Sequence, residues 1–161
     1  GLRDLGCCPS PFDSYLMTLG LETLSLRVRH EVESARRLAE YCRNHPKVER
    51  VSFVGFESHP SYANAKKYFR FGSSAVFTIE LKGTLDSTVR FVESLNLAAH
   101  MVMIGDSVTV VTHPASTTHK QLSDADLAAA GVTPTMLRIS VGLENTDDLI
   151  DDFEQAFAHI G

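Results

Sequence analysis

Apolar residues recur at helical spacing through the first third of the chain. Ser10-Pro11-Phe12-Asp13 has the makings of a helix start: a hydroxyl cap, a Pro at the first helical position and an acid where a capping box requires one. Phe12, Tyr15, Leu16 and Leu19 follow. Beyond Gly20 the period resumes through Leu24, Val28, Val32, Ala35, Leu38, Ala39 and Cys42. Asn44-His45-Pro46 ends the run. The pattern predicts a long helix over 10–45, with Gly20 as its break or kink.

Apolar runs bounded by turn residues then predict strands over 48–54, 74–81, 100–104, 108–112 and 136–144, with a loop over 55–67. Leu85 to Leu95 reads as a helix behind a Thr84 cap, with Val89, Val92 and Leu95 turned inward. Ser123-Asp124-Ala125-Asp126 opens a short Ala-rich helix that ends near Gly131. A last helix opens at Asn145 or Thr146, and Leu149, Ile150, Phe153, Phe157 and Ile160 form its apolar face. Its carboxylates Asp147, Asp148, Asp151 and Asp152 are read as solvated and matched to the helix dipole. Strands alternating with helices imply an α/β domain of the α+β type, a small sheet of about four strands with helices packed on one face.

Composition narrows the class. A length of 161 residues is one domain's worth of chain, and 43% hydrophobic with 22% charged residues fits a soluble globular protein. A net charge of −5 without a basic cluster argues against a nucleic-acid partner. No apolar run reaches membrane-span length, so no membrane partner is expected. The first residues lack the apolar segment of a signal peptide, and the absence of an initial Met predicts a processed or excised piece. Cys7, Cys8 and Cys42 are too few for a disulfide framework or a zinc site, which points to the reducing cytoplasm. Adjacent Cys7 and Cys8 also lack the C-x-x-C spacing of a redox pair.

The chain has no phosphate-binding glycine loop, no dinucleotide fingerprint and no nucleophile elbow. His113 and His119 lie six apart beside a Pro, with no further ligand spaced to complete a metal site, so hydrogen-bonding loop histidines are the better reading. Two stretches carry the candidate chemistry. One is the hydroxyl-rich loop His113-Pro114-Ala115-Ser116-Thr117-Thr118-His119; the other is the run Met136 to Glu144, with the single cation Arg138 among apolar residues. Loops on a rigid scaffold concentrate binding groups, and the planar fork of an Arg matches the two oxygens of a carboxylate. The reading is that loop and Arg138 face a shared pocket. Strand alternation puts Leu137, Ile139 and Val141 on one face and Met136, Arg138 and Ser140 on the other. On that pattern alone, solvent is the commoner neighbour of such an Arg.

These stretches resemble a family. Ser10-Pro11-Phe12, Gly20-Leu21-Glu22-Thr23-Leu24, Arg27 with His30, His59-Pro60 with Tyr62, Ile104-Gly105-Asp106, the His113–His119 loop with Gln121-Leu122, and Arg138-Ile139-Ser140-Val141-Gly142-Leu143-Glu144 are similar, in order, to the C-terminal part of the pyridoxal-phosphate enzymes of cysteine and methionine metabolism. The O-acetylhomoserine sulfhydrylase branch is the best match. The resemblance implies the small C-terminal domain of a fold-type I enzyme, with a largely antiparallel sheet. Residues 1–9 would end a linker from a large cofactor-binding domain, 10–45 would form the connecting helix and 46–161 the small domain.

By the same resemblance Arg138 binds the substrate α-carboxylate. Met103 takes a position near that carboxylate where the family usually has Asn or Ser. Ser116, Thr117, Thr118 and His119 line the cleft mouth. The implied reaction is γ-replacement of acetate in O-acetylhomoserine by sulfide, giving homocysteine, in a cytoplasmic homotetramer. The lysine that forms the Schiff base and the phosphate-binding residues of the cofactor belong to the N-terminal domain; Lys47, Lys66, Lys67, Lys82 and Lys120 lack that motif, so this piece alone is expected to be inactive. The alternatives are a cystathionine γ-synthase, cystathionine γ-lyase or methionine γ-lyase of the same family, or a non-catalytic relic that serves as an interaction module.

Overall fold

The structure is a computed structural model and describes residues 2–160. A four-residue helix α1 (Leu2–Leu5) precedes α2 (Pro11–Glu22) and α3 (Leu24–Asn44). The capping box at the start of α2 is present: the Ser10 hydroxyl accepts from the Asp13 backbone N–H, and the Asp13 carboxylate accepts from that of Ser10. The long helix does break, but at Thr23 and not at Gly20. Thr23 closes α2 and opens α3 with ψ near 0°. Arg27 bridges the break, donating from Nη2 to the Gly20 carbonyl at 2.7 Å and from Nε to the Thr23 hydroxyl at 3.2 Å. A guanidinium therefore takes up a carbonyl that an unbroken helix would have bonded itself.

The remaining elements are β1 (Val48–Ser52), α4 (Tyr62–Tyr68), β2 (Val76–Leu81), α5 (Leu85–Glu93), β3 (Ala99–His100), β4 (Val110–Thr112), a 3₁₀ turn over Pro114–Ser116, α6 (Asp124–Ala129), β5 (Met136–Ser140) and α7 (Thr146–Ala158). The strands form one five-stranded sheet in the order β1-β2-β5-β4-β3, antiparallel except for the β3–β4 pair. That is one strand more than the sheet of about four expected from the sequence. The mixed α/β class and the predominantly antiparallel arrangement hold.

Two expectations are corrected. The stretch 55–67 is not all loop, because α4 occupies its second half and buries Ala65. The strand expected over 100–104 stops at His100. Residues 101–105 instead cross the outer face of the sheet, held there by side chains of β4 and β5.

The core lies between the sheet and α3, α5 and α7. Ile79, Leu137, Ile139 and Val111 point from the sheet toward Leu38, Ala39 and Cys42 of α3 and Leu149, Phe153 and Phe157 of α7, all fully buried. Phe91 of α5 closes the cluster with its ring 4.7 Å from that of Phe157. Burial pushes the Cys42 thiol well above its ordinary range, so it sits in the core as a protonated, inert side chain. The last helix is less uniformly solvated than its sequence suggests. Asp147 pairs with Arg37, and Asp148 and Asp151 face water, but Asp152 is buried. Its carboxylate accepts from the backbone N–H groups of Asn96 (2.8 Å), Leu97 (3.1 Å) and Ala98 (3.0 Å). A helix carboxylate thus supplies the acceptors for a chain reversal that has none of its own.

Candidate functional site

The face of the sheet turned away from α3 and α7 carries Arg138 and Ser140 from β5 and Thr112 from β4. Thr112 and Arg138 are directly opposite across the β4–β5 ladder. Over them lies the segment 101–105, whose side chains Met101, Val102, Met103 and Ile104 are exposed. Its backbone is pinned at three points. The Thr112 hydroxyl donates to the Met101 carbonyl at 2.6 Å. Arg138 Nη2 contacts the Met103 carbonyl at 3.4 Å. The Gly105 N–H donates to the Ser140 hydroxyl at 3.2 Å. Side chains take these backbone groups out of any ladder, which explains why an apolar run with strand character does not extend β3.

Arg138 is only partly exposed, so the solvent-facing position favoured by alternation alone does not describe it. Its Nη2 also donates to the Thr112 hydroxyl at 3.2 Å, while its Nε is buried and has no partner among the described residues. An unpaired buried donor on a cation costs on the order of 1–3 kcal/mol, so a native structure that keeps one needs a reason. The Nε–Nη edge of a guanidinium is one of its two bidentate faces, the shape that a carboxylate matches. Met103 enters through its backbone alone; its thioether offers no counterpart to an amide or hydroxyl.

The end of the Arg138 motif is architectural. A Cβ on Gly142 would lie 2.5 Å from the Ser107 carbonyl oxygen and 2.6 Å from the Thr109 nitrogen, so only Gly permits that close approach of backbone. The Gly142 N–H donates to the Thr109 hydroxyl at 2.9 Å, and that hydroxyl donates to the Glu144 carboxylate at 2.7 Å. Glu144 also accepts from the Thr109 N–H at 2.6 Å. Glu144 is therefore a clamp on the strand that enters β4. Thr112 and Thr109, which sequence alternation leaves unremarked, are the residues missed; a hydroxyl among Val108, Val110 and Val111 was the available signal.

The His113–His119 loop packs against β5 but spends most of its polar groups on itself. His113 is buried, and its Nε2 lies 2.8 Å from the Pro134 carbonyl, which can only accept. Nε2 therefore carries the proton, and Nδ1 accepts from the Ser116 hydroxyl at 2.8 Å. The Thr117 hydroxyl donates to the His113 carbonyl at 2.7 Å, and the Thr118 hydroxyl lies 2.8 Å from His119 Nδ1. Thr117 and Thr118 are exposed and His119 is half-buried, and none of these bonds reaches Arg138.

Burial lowers the His113 pKa below its ordinary value near 6.5, and burial beside Phe157 does the same to His45. The unfolded chain then binds protons that the folded one refuses. Stability contributed by the neutral rings is present above about pH 6.5 and is lost as pH falls toward the folded pKa values. The urea midpoint of the protein is expected to drop between pH 7.5 and 5.5; an unchanged or higher midpoint at the lower pH would contradict this.

The cofactor question turns on the lysines. Lys47 donates to the Phe157 and Ile160 carbonyls and Lys82 to the Pro46 carbonyl, while Lys66 and Lys67 rest on the rings of Tyr62 and Tyr68. These amines serve helix ends and surface rings. These four amines are engaged elsewhere, and Lys120 is exposed beside the His113–His119 loop; the planar fork of Arg138 is of the kind that suits an anionic group.

Known proteins share this sequence and fold. Residues 2–158 match the Cys/Met metabolism PLP-dependent enzyme family. A homocysteine synthase from Schizosaccharomyces pombe is 46% identical over 155 residues, covering 96% of this chain and 36% of the relative. O-acetyl-L-homoserine sulfhydrylase 1 from Thermus thermophilus is 44% identical over 158 residues, covering 98% and 38%. The crystal structure of an O-acetylhomoserine (thiol)-lyase from Campylobacter jejuni, which contains a pyridoxyl-phosphate lysine, superposes with a TM-score of 0.87 at 37% identity, covering 98% of this chain and 37% of that one. The chain spans little more than a third of the length of these relatives. A match over nearly all of its residues, in sequence and in fold, places it among them: the chain belongs to the Cys/Met metabolism PLP-dependent enzyme family.

Proposed function

We propose that this chain is the substrate-carboxylate-binding part of an O-acetylhomoserine sulfhydrylase, which replaces the acetate of O-acetylhomoserine by sulfide to give homocysteine and acetate. The observation that carries the reading is the half-buried Arg138, fixed by Thr112 and the Met103 carbonyl, with a buried donor left unpaired. Relatives named for that activity support it. Pyridoxal phosphate, held outside this chain, supplies the electron sink for bond breaking at the substrate Cα.

This chain's own residues do the positioning. The Arg138 fork grips the carboxylate and so fixes the rotation of the amino acid about its Cα. The 101–105 segment lays apolar side chains beside the grip. The rest of the enzyme is proposed to enclose α2, whose Phe12, Tyr15, Leu16, Met17 and Leu19 are all exposed and which buries no residue here. A helix with this much exposed apolar surface calls for a covering partner. Assembly as a homotetramer, and service of Ser116, Thr117, Thr118 and His119 at the cleft mouth, belong to the same proposal.

The test is a product assay on the complete enzyme with O-acetylhomoserine, offering sulfide and cysteine in turn. Homocysteine and acetate from sulfide, at the higher kcat/KM, support the reading. Preferred formation of cystathionine from cysteine would move the chain to a sibling branch, and no turnover with either would leave the interaction module.

A further inference from the structure

We propose that Thr112 is a positioning residue: its hydroxyl, tied to the Met101 carbonyl, sets the Arg138 guanidinium for the substrate carboxylate. The inference rests on the carboxylate-binding reading of Arg138 and adds to it the group that aims the cation.

Thr112 is 1% exposed and ends β4 opposite Arg138. A hydroxyl has one proton. The 2.6 Å contact with the Met101 carbonyl, which can only accept, uses it. What the oxygen shows to Arg138 is therefore a lone pair, and the 3.2 Å contact from Nη2 is a donation to it. The direction of both bonds is determined. Holding one nitrogen of a rigid planar fork restricts where its other donors lie. Here it leaves Nε unpartnered while Nη2 is engaged.

Packing alone does not account for the hydroxyl. Val110 and Val111 precede it on the same strand, both buried, and Val has the shape of Thr without the cost of burying a polar group. The same oxygen also joins the 101–105 segment to the cation, so the covering segment and the carboxylate grip are held in register by one side chain.

The experiment uses the complete enzyme and measures the KM for O-acetylhomoserine, kcat, and the inhibition constant of the α-carboxamide of that substrate, for Thr112→Val, Thr112→Ser and Arg138→Ala. Thr112→Val is expected to raise KM about tenfold, the effect of losing one bond to a charged group. Its kcat and its affinity for the uncharged carboxamide are expected to change less than about threefold, and Thr112→Ser to return KM to within about threefold of the parent. A Thr112→Val enzyme with unchanged KM, beside an Arg138→Ala enzyme with raised KM, would overturn the role of Thr112 alone. An unchanged KM in Arg138→Ala would overturn the carboxylate-binding reading itself. Equal weakening of carboxylate and carboxamide in Thr112→Val, not recovered by Ser, would make Thr112 a scaffold residue and end the proposal. Should the Val variant not fold, Thr112→Ala replaces it under the same criteria.

Discussion

Arg138→Ala in the complete enzyme is expected to lower kcat/KM for the amino-acid substrate by roughly two to four orders of magnitude, on the order of 3–5 kcal/mol. The size follows from what remains after truncation. The substrate carboxylate would enter a site walled by the 101–105 segment with no cation to meet it. The Thr112 hydroxyl and the Met103 carbonyl would lose the donor they now share. Arg138→Lys is expected to recover only part of the loss, because an ammonium is a point charge and cannot engage two oxygens in a plane. Steady-state kinetics on the purified enzyme check both. Unchanged kinetics in Arg138→Ala would remove Arg138 from the site.

Asp152→Ala is expected to cost much of the stability that one polar side chain can contribute. Its carboxylate collects three backbone N–H groups over residues 96–98, and Gln155 donates to the same carboxylate. Asn96 and Leu97 are exposed enough for water to replace what they lose, but Ala98 is buried. Counting one stranded buried N–H and the loss of bonds to a charged acceptor gives about 2–4 kcal/mol. The damage should concentrate where the chain enters β3, at the edge of the sheet. A denaturant titration checks the magnitude, and faster hydrogen exchange at Ala98 checks the place. A loss below about 0.5 kcal/mol, the scatter of ordinary surface substitutions, would show that the carboxylate is not the anchor.

Local rules made much of this fold legible. The caps at Ser10, Thr84, Ser123 and Asn145 stand where hydroxyl, amide and acid spacing puts them. The alternation of Leu137, Arg138 and Ile139 separates core from site in the way the strand period requires. What local pattern could not reveal depends on long-range partners. Gly20 is a poor helix former, yet the helix runs through it and breaks three residues later, where Arg27 satisfies the freed groups. Met101-Val102-Met103-Ile104 has the apolar content of a strand, but Thr112, Arg138 and Ser140 occupy the backbone groups of 101–105 and hold it across the sheet.

The motif that carries the family resemblance divides in the same manner. Arg138 carries the proposed carboxylate grip, with Nη2 on Thr112 and Nε without a partner among the described residues. Gly142 and Glu144, equally prominent in the sequence, belong to the clamp on Thr109. His113 and Ser116, in the same polar loop, bond to each other, and His113 also to the Pro134 carbonyl.

The most direct measurement is a crystal structure of the complete enzyme with an amino-acid substrate or product bound. The account predicts the α-carboxylate in a two-point contact with the Arg138 guanidinium at about 2.7–2.9 Å, with Nε among the donors and Thr112 still bonded to Nη2. A carboxylate held by other residues, with Arg138 turned to solvent, would contradict it.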